Sequence, residues 1–211
     1  MKTIALFGGT GQTGRELLSL ALTRGYDVKA LVRNPAKLSQ THPRLQVIAG
    51  DVLNPADVAA TVASTDVVLS VFGHGKGSPD WLQTDGTKNI LAAMRESRVK
   101  KIISLSGGGL PYPEKDEPKF ADKAIRFIMN LAMPKVIHDA VAHHGVLAAS
   151  GTDWIIVRAP RLTNDAKQGH YREGWVGVNA STKIARADLA EFLIKQVEDD
   201  RYVHQLPFVS Y

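Results

Sequence analysis

The 211-residue sequence predicts an α/β protein: a doubly wound parallel sheet with helices on both faces, in a single domain spanning 1–211. Three observations carry that expectation. The apolar run Ile4-Ala5-Leu6-Phe7 passes at once into Gly8-Gly9-Thr10-Gly11-Gln12-Thr13-Gly14 and then into helical Arg15-Glu16-Leu17-Leu18. Strand-like and helix-like segments alternate from there onward, with no low-complexity linker and no internal repeat between them. The strand-like runs are nearly continuous in apolar residues, as a parallel sheet covered on both faces requires.

Taken in order, the first strand covers 4–7 and the first helix 13–24. A half-alternating run over 26–32 is the second strand, and 44–49 the third. A helix over 56–63 leads into the apolar strand 66–72. After a loop, 81–96 is helical and 101–105 is a strand. A polar loop occupies 106–118. The helical pattern over 119–149 contains Pro134, which lacks a backbone N–H and should break or kink it. A strand over 154–157 is followed by an irregular region, 159–182, which alone is long enough for a substrate loop. The last helix, 187–197, carries Asp188 in its first turn, and a short strand lies near 205–209.

Composition narrows the function classes. The absence of cysteine excludes disulfides, thiolate catalysis and cysteine metal sites, and fits a reducing compartment. The net charge is +5, but the basic residues are scattered. The densest stretch, Arg98-Val99-Lys100-Lys101, lies between a helix and a strand and reads as a solvated connection, so no nucleic-acid partner is expected. A mild positive field suits an anionic cofactor. With no signal-type region before the first strand and no apolar run near 18 residues, the expectation is a cytoplasmic protein without a membrane partner, either a monomer or a weak homodimer.

The glycines satisfy two spacings at once, Gly9-x-Gly11-x-x-Gly14 and Gly8-x-x-Gly11-x-x-Gly14. Glycine at the end of a buried strand allows a tight turn and close approach of a pyrophosphate. The helix that follows offers unpaired N–H groups and the positive end of its dipole. About 20 residues further on, an NAD-preferring site presents an acid to the ribose hydroxyl. Here that position is Arg33, with Lys37 nearby. A guanidinium hydrogen-bonds a 2′-phosphate in bidentate fashion where a carboxylate repels it, which favours NADP(H). The alternative for Arg33 is an ordinary strand-to-loop arginine.

The segments 8–17 and 31–33, together with Ala49-Gly50-Asp51-Val52, Thr87-Lys88-Asn89-Ile90 and Ser150-Gly151-Thr152-Asp153-Trp154, resemble the atypical short-chain dehydrogenase/reductases. Within them the nearest likeness is to the NADPH-dependent flavin reductase (biliverdin-IX-beta reductase) family, and the NmrA-like NADP(H)-binding group is related. The resemblance runs nearly the whole chain and is strongest over the first 110 residues. It implies a Rossmann fold, NADP(H), and hydride transfer to a flavin such as FMN or FAD, a bilin, or a comparable planar acceptor. It also implies that Gly8, Thr10, Gly11, Gln12, Thr13 and Gly14 hold the pyrophosphate and that Arg33 and Lys37 hold the 2′-phosphate. Asp51 would bond the adenine with Val52 packed on the ring, while Phe72 and Gly73 run past the nicotinamide ribose. Asp51 equally suits a helix N-cap or turn former before Asn54-Pro55.

The usual carbonyl-activating pair of short-chain dehydrogenases, a tyrosine with a lysine four residues later, occurs nowhere in this chain; the lysine position falls on Ala140. Alcohol oxidation by that relay is disfavoured. Where the resembled reductases carry a serine after strand five and a histidine after the proline of strand six, this chain has Gly107, with the hydroxyl at Ser106, and Arg161. Those departures weigh against bilin reduction more than flavin reduction, because hydride transfer to an isoalloxazine needs stacking and water exclusion more than a strong acid. Ser106 could bond the nicotinamide amide or the substrate, or simply form a turn. Arg161 could stabilise negative charge on an accepting ring or clamp an anionic substituent, or lie on the surface.

His138-Asp139 and His143-His144 invite a metal, since Asp139 and His143 share a helical face, but no third ligand follows at metal spacing; a solvated polar face is the expectation, with no metal. Trp175 is the tryptophan best suited to stacking on a flat substrate. Two functional classes remain open, an NADPH-dependent reductase and a non-catalytic, NADP(H)-sensing regulatory protein.

Overall fold

Strand segments with no polar side to offer water must be covered twice, and this chain covers them twice. In the computed structural model, which describes residues 2–211, the elements run β1 (Thr3–Phe7), α1 (Gln12–Thr23), β2 (Asp27–Val32), a 3-10 turn (Pro35–Lys37), β3 (Leu45–Ala49), α2 (Pro55–Val62), β4 (Val67–Ser70), α3 (Leu82–Ser97) and β5 (Lys101–Gly107). Next come α4 (Phe120–Ala132), α5 (Pro134–Ala148), β6 (Asp153–Ala159), β7 (Arg161–Thr163), β8 (Arg172–Gly174), β9 (Lys183–Ala185), α6 (Arg186–Lys195) and β10 (Phe208–Ser210).

The main sheet has the order β3-β2-β1-β4-β5-β6-β10-β8. Pairing is parallel from β3 to β10, and β8 closes the edge antiparallel to β10. The strand order reverses direction between β1 and β4, which opens a crevice at their carboxyl ends. Along β1 the side chains alternate strictly: Ile4 and Leu6 join a core with α1 and α6, while Ala5 and Phe7 join a core with α2, α3 and α5. The result is one Rossmann-like α/β domain.

Several boundaries move for local reasons. Strand β4 ends at Ser70 rather than 72, because the Val71 N–H makes its bond to Phe7 O and the chain then turns over Gly8. Ser106 lies inside β5 rather than in a loop, since β5 pairs with β6 as far as Gly107↔Ala159. Pro134 does divide the helical stretch, and α5 starts on it. The 159–182 region is not irregular throughout: it contains β7, which pairs with β9, and β8. Three-residue strands are too short to show a period.

Candidate functional site

At the carboxyl end of β1 the backbone turns at Gly8, whose φ of +92° is favourable only for glycine. A Cβ there would stand 2.5 Å from Phe72 N, and one on Gly14 would stand 2.1 Å from Gly8 O. Both positions therefore need glycine, and the loop lies flat against the first turn of α1. Gly11 caps that helix without a side chain, so the leading amides of Gln12, Thr13 and Gly14 have no protein acceptor supplied by a cap. This is a cradle for an anionic group.

Arg33 and Lys37 stand exposed on the loop after β2, and neither makes an ion pair. A third cation joins them that the spacing argument passed over. Arg15, one residue beyond Gly14, donates to Thr10 O at 3.1 Å and to Lys37 O at 2.9 Å. It ties the glycine loop to the 3-10 turn. Its signal was available, since a first-turn arginine points back toward the loop before it.

Asp51 follows β3. Its Oδ1 accepts from Leu53 N at 2.9 Å, and the cap of α2 is Asn54, which accepts from Ala56 N at 3.0 Å. Asp51 is thus a turn former with its second oxygen free of protein donors, and it is not the helix cap. Val52 and Phe72 meet over α3. A Cβ on Gly86 would be 2.8 Å from Phe72 Cζ and 3.0 Å from Val52 Cγ2. Gln83 Nε2 reaches both Phe72 O (3.3 Å) and Leu105 O (3.4 Å), bridging the ends of β4 and β5. The glycine loop, Asp51-Val52 and Phe72-Gly73 therefore line the strand ends from β3 to β4.

Asp139 and His143 are not on a solvated face, as the sequence pattern suggested; both are buried between α5, α3 and β5. Asp139 caps α3 from outside that helix. It accepts from Gln83 N (2.8 Å), Thr84 N (2.9 Å) and Thr84 Oγ1 (2.5 Å), and His74 Nε2 donates to it at 2.7 Å. Burial raises the Asp139 carboxyl, but these four donors more than reverse it and hold it below the ordinary carboxylate range. A carboxylate so engaged has little to offer a cation. Among the described residues, no group of three or more His, Asp and Glu side chains is placed to hold a metal ion.

His143 Nε2 lies 3.1 Å from Ser104 Oγ, and burial pushes its imidazole from 6.5 down to about 4. The unfolded chain binds a proton at this histidine near 6.5 and the folded chain only near 4, so stability is complete above 6.5 and declines as pH falls toward 4. Between pH 7 and pH 5 the loss is about 2 kcal/mol. Urea unfolding of the wild type and His143→Leu at both pH values checks this: the wild type should lose about that much more than the variant. Equal losses would remove His143 as the cause.

The strand pattern of β6 hid a charge. Arg158 is fully buried and grips Asp116 through Nη1–Oδ2 (2.7 Å) and Nη2–Oδ1 (2.8 Å). It also donates to Leu206 O and Leu110 O. Asp116 in turn accepts from Tyr112 N (2.9 Å) and Val176 N (3.1 Å), so a single carboxylate joins the loop after β5 to the loop after β8. Burial raises this carboxyl, while the guanidinium and the two amides bring it below the ordinary range.

Those two loops border a mainly apolar cavity of about 460 Å³ at the carboxyl ends of β5 and β6. Gly107, Gly108 and Gly109 form one side, Ile125, Met129 and Met133 another, and Pro160, Val176 and Phe208 the remainder. Arg161 lines it, with an exposed guanidinium free of ion pairs. Ser106 does not line it. Its hydroxyl is buried without a hydrogen-bond partner, on the Ser104 side of β5. Trp175 lies outside the cavity as well, held edge-on by Tyr112 at 5.6 Å and covered by Lys115 at 4.4 Å, so its ring is occupied.

A family model described as NAD(P)H-binding matches residues 8–200. Among solved structures, a Burkholderia pseudomallei protein named as a candidate exported protein is 27% identical, with both chains fully covered and a TM-score of 0.79. A wide-type short-chain dehydrogenase/reductase of Veillonella parvula, solved with NADP, is 18% identical with a TM-score of 0.78, over 100% of this chain and 94% of that one. The 3 beta-hydroxysteroid dehydrogenase/Delta 5-->4-isomerase of Mycobacterium tuberculosis H37Rv is 24% identical over 96% of this chain, which spans 57% of that enzyme. The chain covers less than two-thirds of the first curated relatives it matches.

Proposed function

Since the chain belongs to the NAD(P)H-binding family, we propose that it is an NADPH-dependent reductase that passes hydride to a planar conjugated acceptor, with flavins (FMN, FAD, riboflavin) first, then quinones and bilins. The observation that carries this reading is the mainly apolar cavity of about 460 Å³ with two cations on its wall, Arg126, which lies 3.8 Å from Asp116, and Arg161, which makes no ion pair. It lies two strands from β1, roughly 10 Å along the same sheet edge as the glycine cradle. The likeness to flavin and bilin reductases in the sequence points the same way.

The chain's own groups suit the cofactor. Gly8 and Gly14 let the glycine loop lie against Phe72 and the first turn of α1, which leaves the leading amides of α1 and the hydroxyls of Thr10 and Thr13 to donate to the pyrophosphate. Arg33 and Lys37 hold the 2′-phosphate, with Arg15 bracing their loop. Asp51 and Val52 receive the adenine, and Phe72 and Gly73 the nicotinamide ribose. When bound, NADPH supplies a hydride and its electron pair. The cavity walls then exclude water and hold the acceptor flat, while Arg161 balances negative charge on the reduced ring or an anionic substituent. Ser106, buried one residue behind the cavity edge, presents no hydroxyl to the acceptor. The absence of a tyrosine–lysine relay suits acceptors that need no strong acid. The segment 159–182 supplies Pro160, Arg161, Val176 and Thr182 to the cavity wall, and a cytoplasmic location would suit an NADPH-dependent reductase.

Oxidation of NADPH by purified protein, followed by the absorbance of the reduced nicotinamide, tests this with FMN, FAD, riboflavin, a quinone and biliverdin. Turnover with at least one of them is the expected result. Tight NADPH binding by calorimetry without turnover on any acceptor would overturn it in favour of a cofactor-sensing regulatory protein.

A further inference from the structure

Helix α4 is strongly amphipathic, and its apolar side faces water. Phe120, Phe127, Ile128 and Leu131 are 89%, 70%, 62% and 77% exposed, and with Ala124 they form one stripe at helical spacing. None of the helix's side chains is fully buried. The opposite side, with Asp122, Arg126 and Met129, faces the cavity. A stripe of this kind on a water-exposed helix marks a surface that is covered by something else.

The charges beside the stripe indicate what covers it. Asp122 is turned inward and accepts from the Lys119 N–H at 2.9 Å. Arg126 lies 3.8 Å from Asp116, and Lys135 is paired with Asp80 at 2.8 Å. Lys119 and Lys123 remain without ion pairs at the end and edge of the stripe, and no carboxylate of α4 stands outward beside them. Two copies pressed stripe to stripe would cover on the order of 1,000 Å² in total, less than stable interfaces usually bury. The facing stripe of a second α4 would also offer those lysines no carboxylate of its own. An anionic bilayer surface satisfies both features, taking the apolar side chains among its acyl chains and the lysines among its headgroups.

We propose that α4 is an interfacial helix that seats its Phe120, Phe127, Ile128 and Leu131 stripe in an anionic lipid surface. The expectation of no membrane partner rested on spanning segments. No described helix is long and apolar enough to cross a membrane, and the 13 residues of α4 lie along a surface instead. Because the inner side of α4 walls the cavity, docking brings that wall against the bilayer. The inference stands whichever acceptor the cavity takes.

Flotation of the full chain with vesicles of phosphatidylcholine alone, and of phosphatidylcholine mixed with phosphatidylglycerol, tests this beside sedimentation velocity. The wild type should float with the mixed vesicles and much less with the neutral ones. The double variants Phe127→Ser/Leu131→Ser and Lys119→Glu/Lys123→Glu should each lower the bound fraction at least about tenfold. Both should keep the wild-type melting temperature and NADPH affinity, because these side chains point away from the core and the cofactor crevice. Failure of the wild type to float with anionic vesicles would overturn the proposal. So would a concentration-dependent dimer abolished by Phe127→Ser/Leu131→Ser, which would identify a second copy as the occupant.

Discussion

Arg33→Asp is expected to weaken NADPH binding at least about a hundredfold while leaving NADH binding within about twofold of wild type. The guanidinium stands at the end of β2 with no protein partner, so its removal breaks nothing in the fold. What is lost is a pair of charge-assisted hydrogen bonds to a dianionic phosphate, each worth about 1.5–3 kcal/mol, and a carboxylate in the same place adds repulsion. NADH lacks the 2′-phosphate, and the new acid can bond its ribose hydroxyl. Calorimetric titration of both cofactors into both proteins gives the answer. Equal losses for NADPH and NADH would mean that Arg33 supports the loop and does not read the phosphate.

Asp116→Ala should cost about 3–5 kcal/mol, because it leaves a buried guanidinium unpaired. For a chain of this size that lowers the melting temperature by roughly 10 °C. The same carboxylate holds Tyr112 N and Val176 N, so the loops bordering the cavity lose their common anchor. Acceptor turnover should therefore fall further than NADPH affinity, since the glycine cradle lies on the far side of β4. A second change separates the lost pair from the exposed charge. Asp116→Ala combined with Arg158→Met should recover much of the stability, because the dominant cost is the unpaired cation. Calorimetric melting of the two variants checks both statements; a double variant no more stable than the single one would show that the loop anchors dominate.

Most of the scaffold was legible in the sequence because it depends on local patterns. Ile4–Phe7 and the two glycine spacings place β1, the turn and α1 within a residue or two, and Pro134 marks the break between α4 and α5. Arg33 and Lys37 could be located by counting from Gly14, since the length of a strand–helix–strand unit is nearly fixed. The polar residues that tie distant segments together were not legible. Arg158 sits in an apolar strand run and has its partner 42 positions away in a loop. Asp139 was read as part of a solvated face, yet it caps a helix 55 residues earlier in the chain.

The sequence by itself determined the sheet, the cradle and the charge of the adenosine end, because each follows from steric rules and periodicities that act over a few neighbouring residues. Only the tertiary structure decided that Asp116 and Arg158 clamp the cavity, that Ser106 stays behind its wall while Arg161 lines it, and that the apolar side of α4 faces outward. Those outcomes depend on which surfaces meet after the chain has closed on itself. A buried ion pair or an uncovered stripe is a property of such meetings, and no run of adjacent residues encodes it.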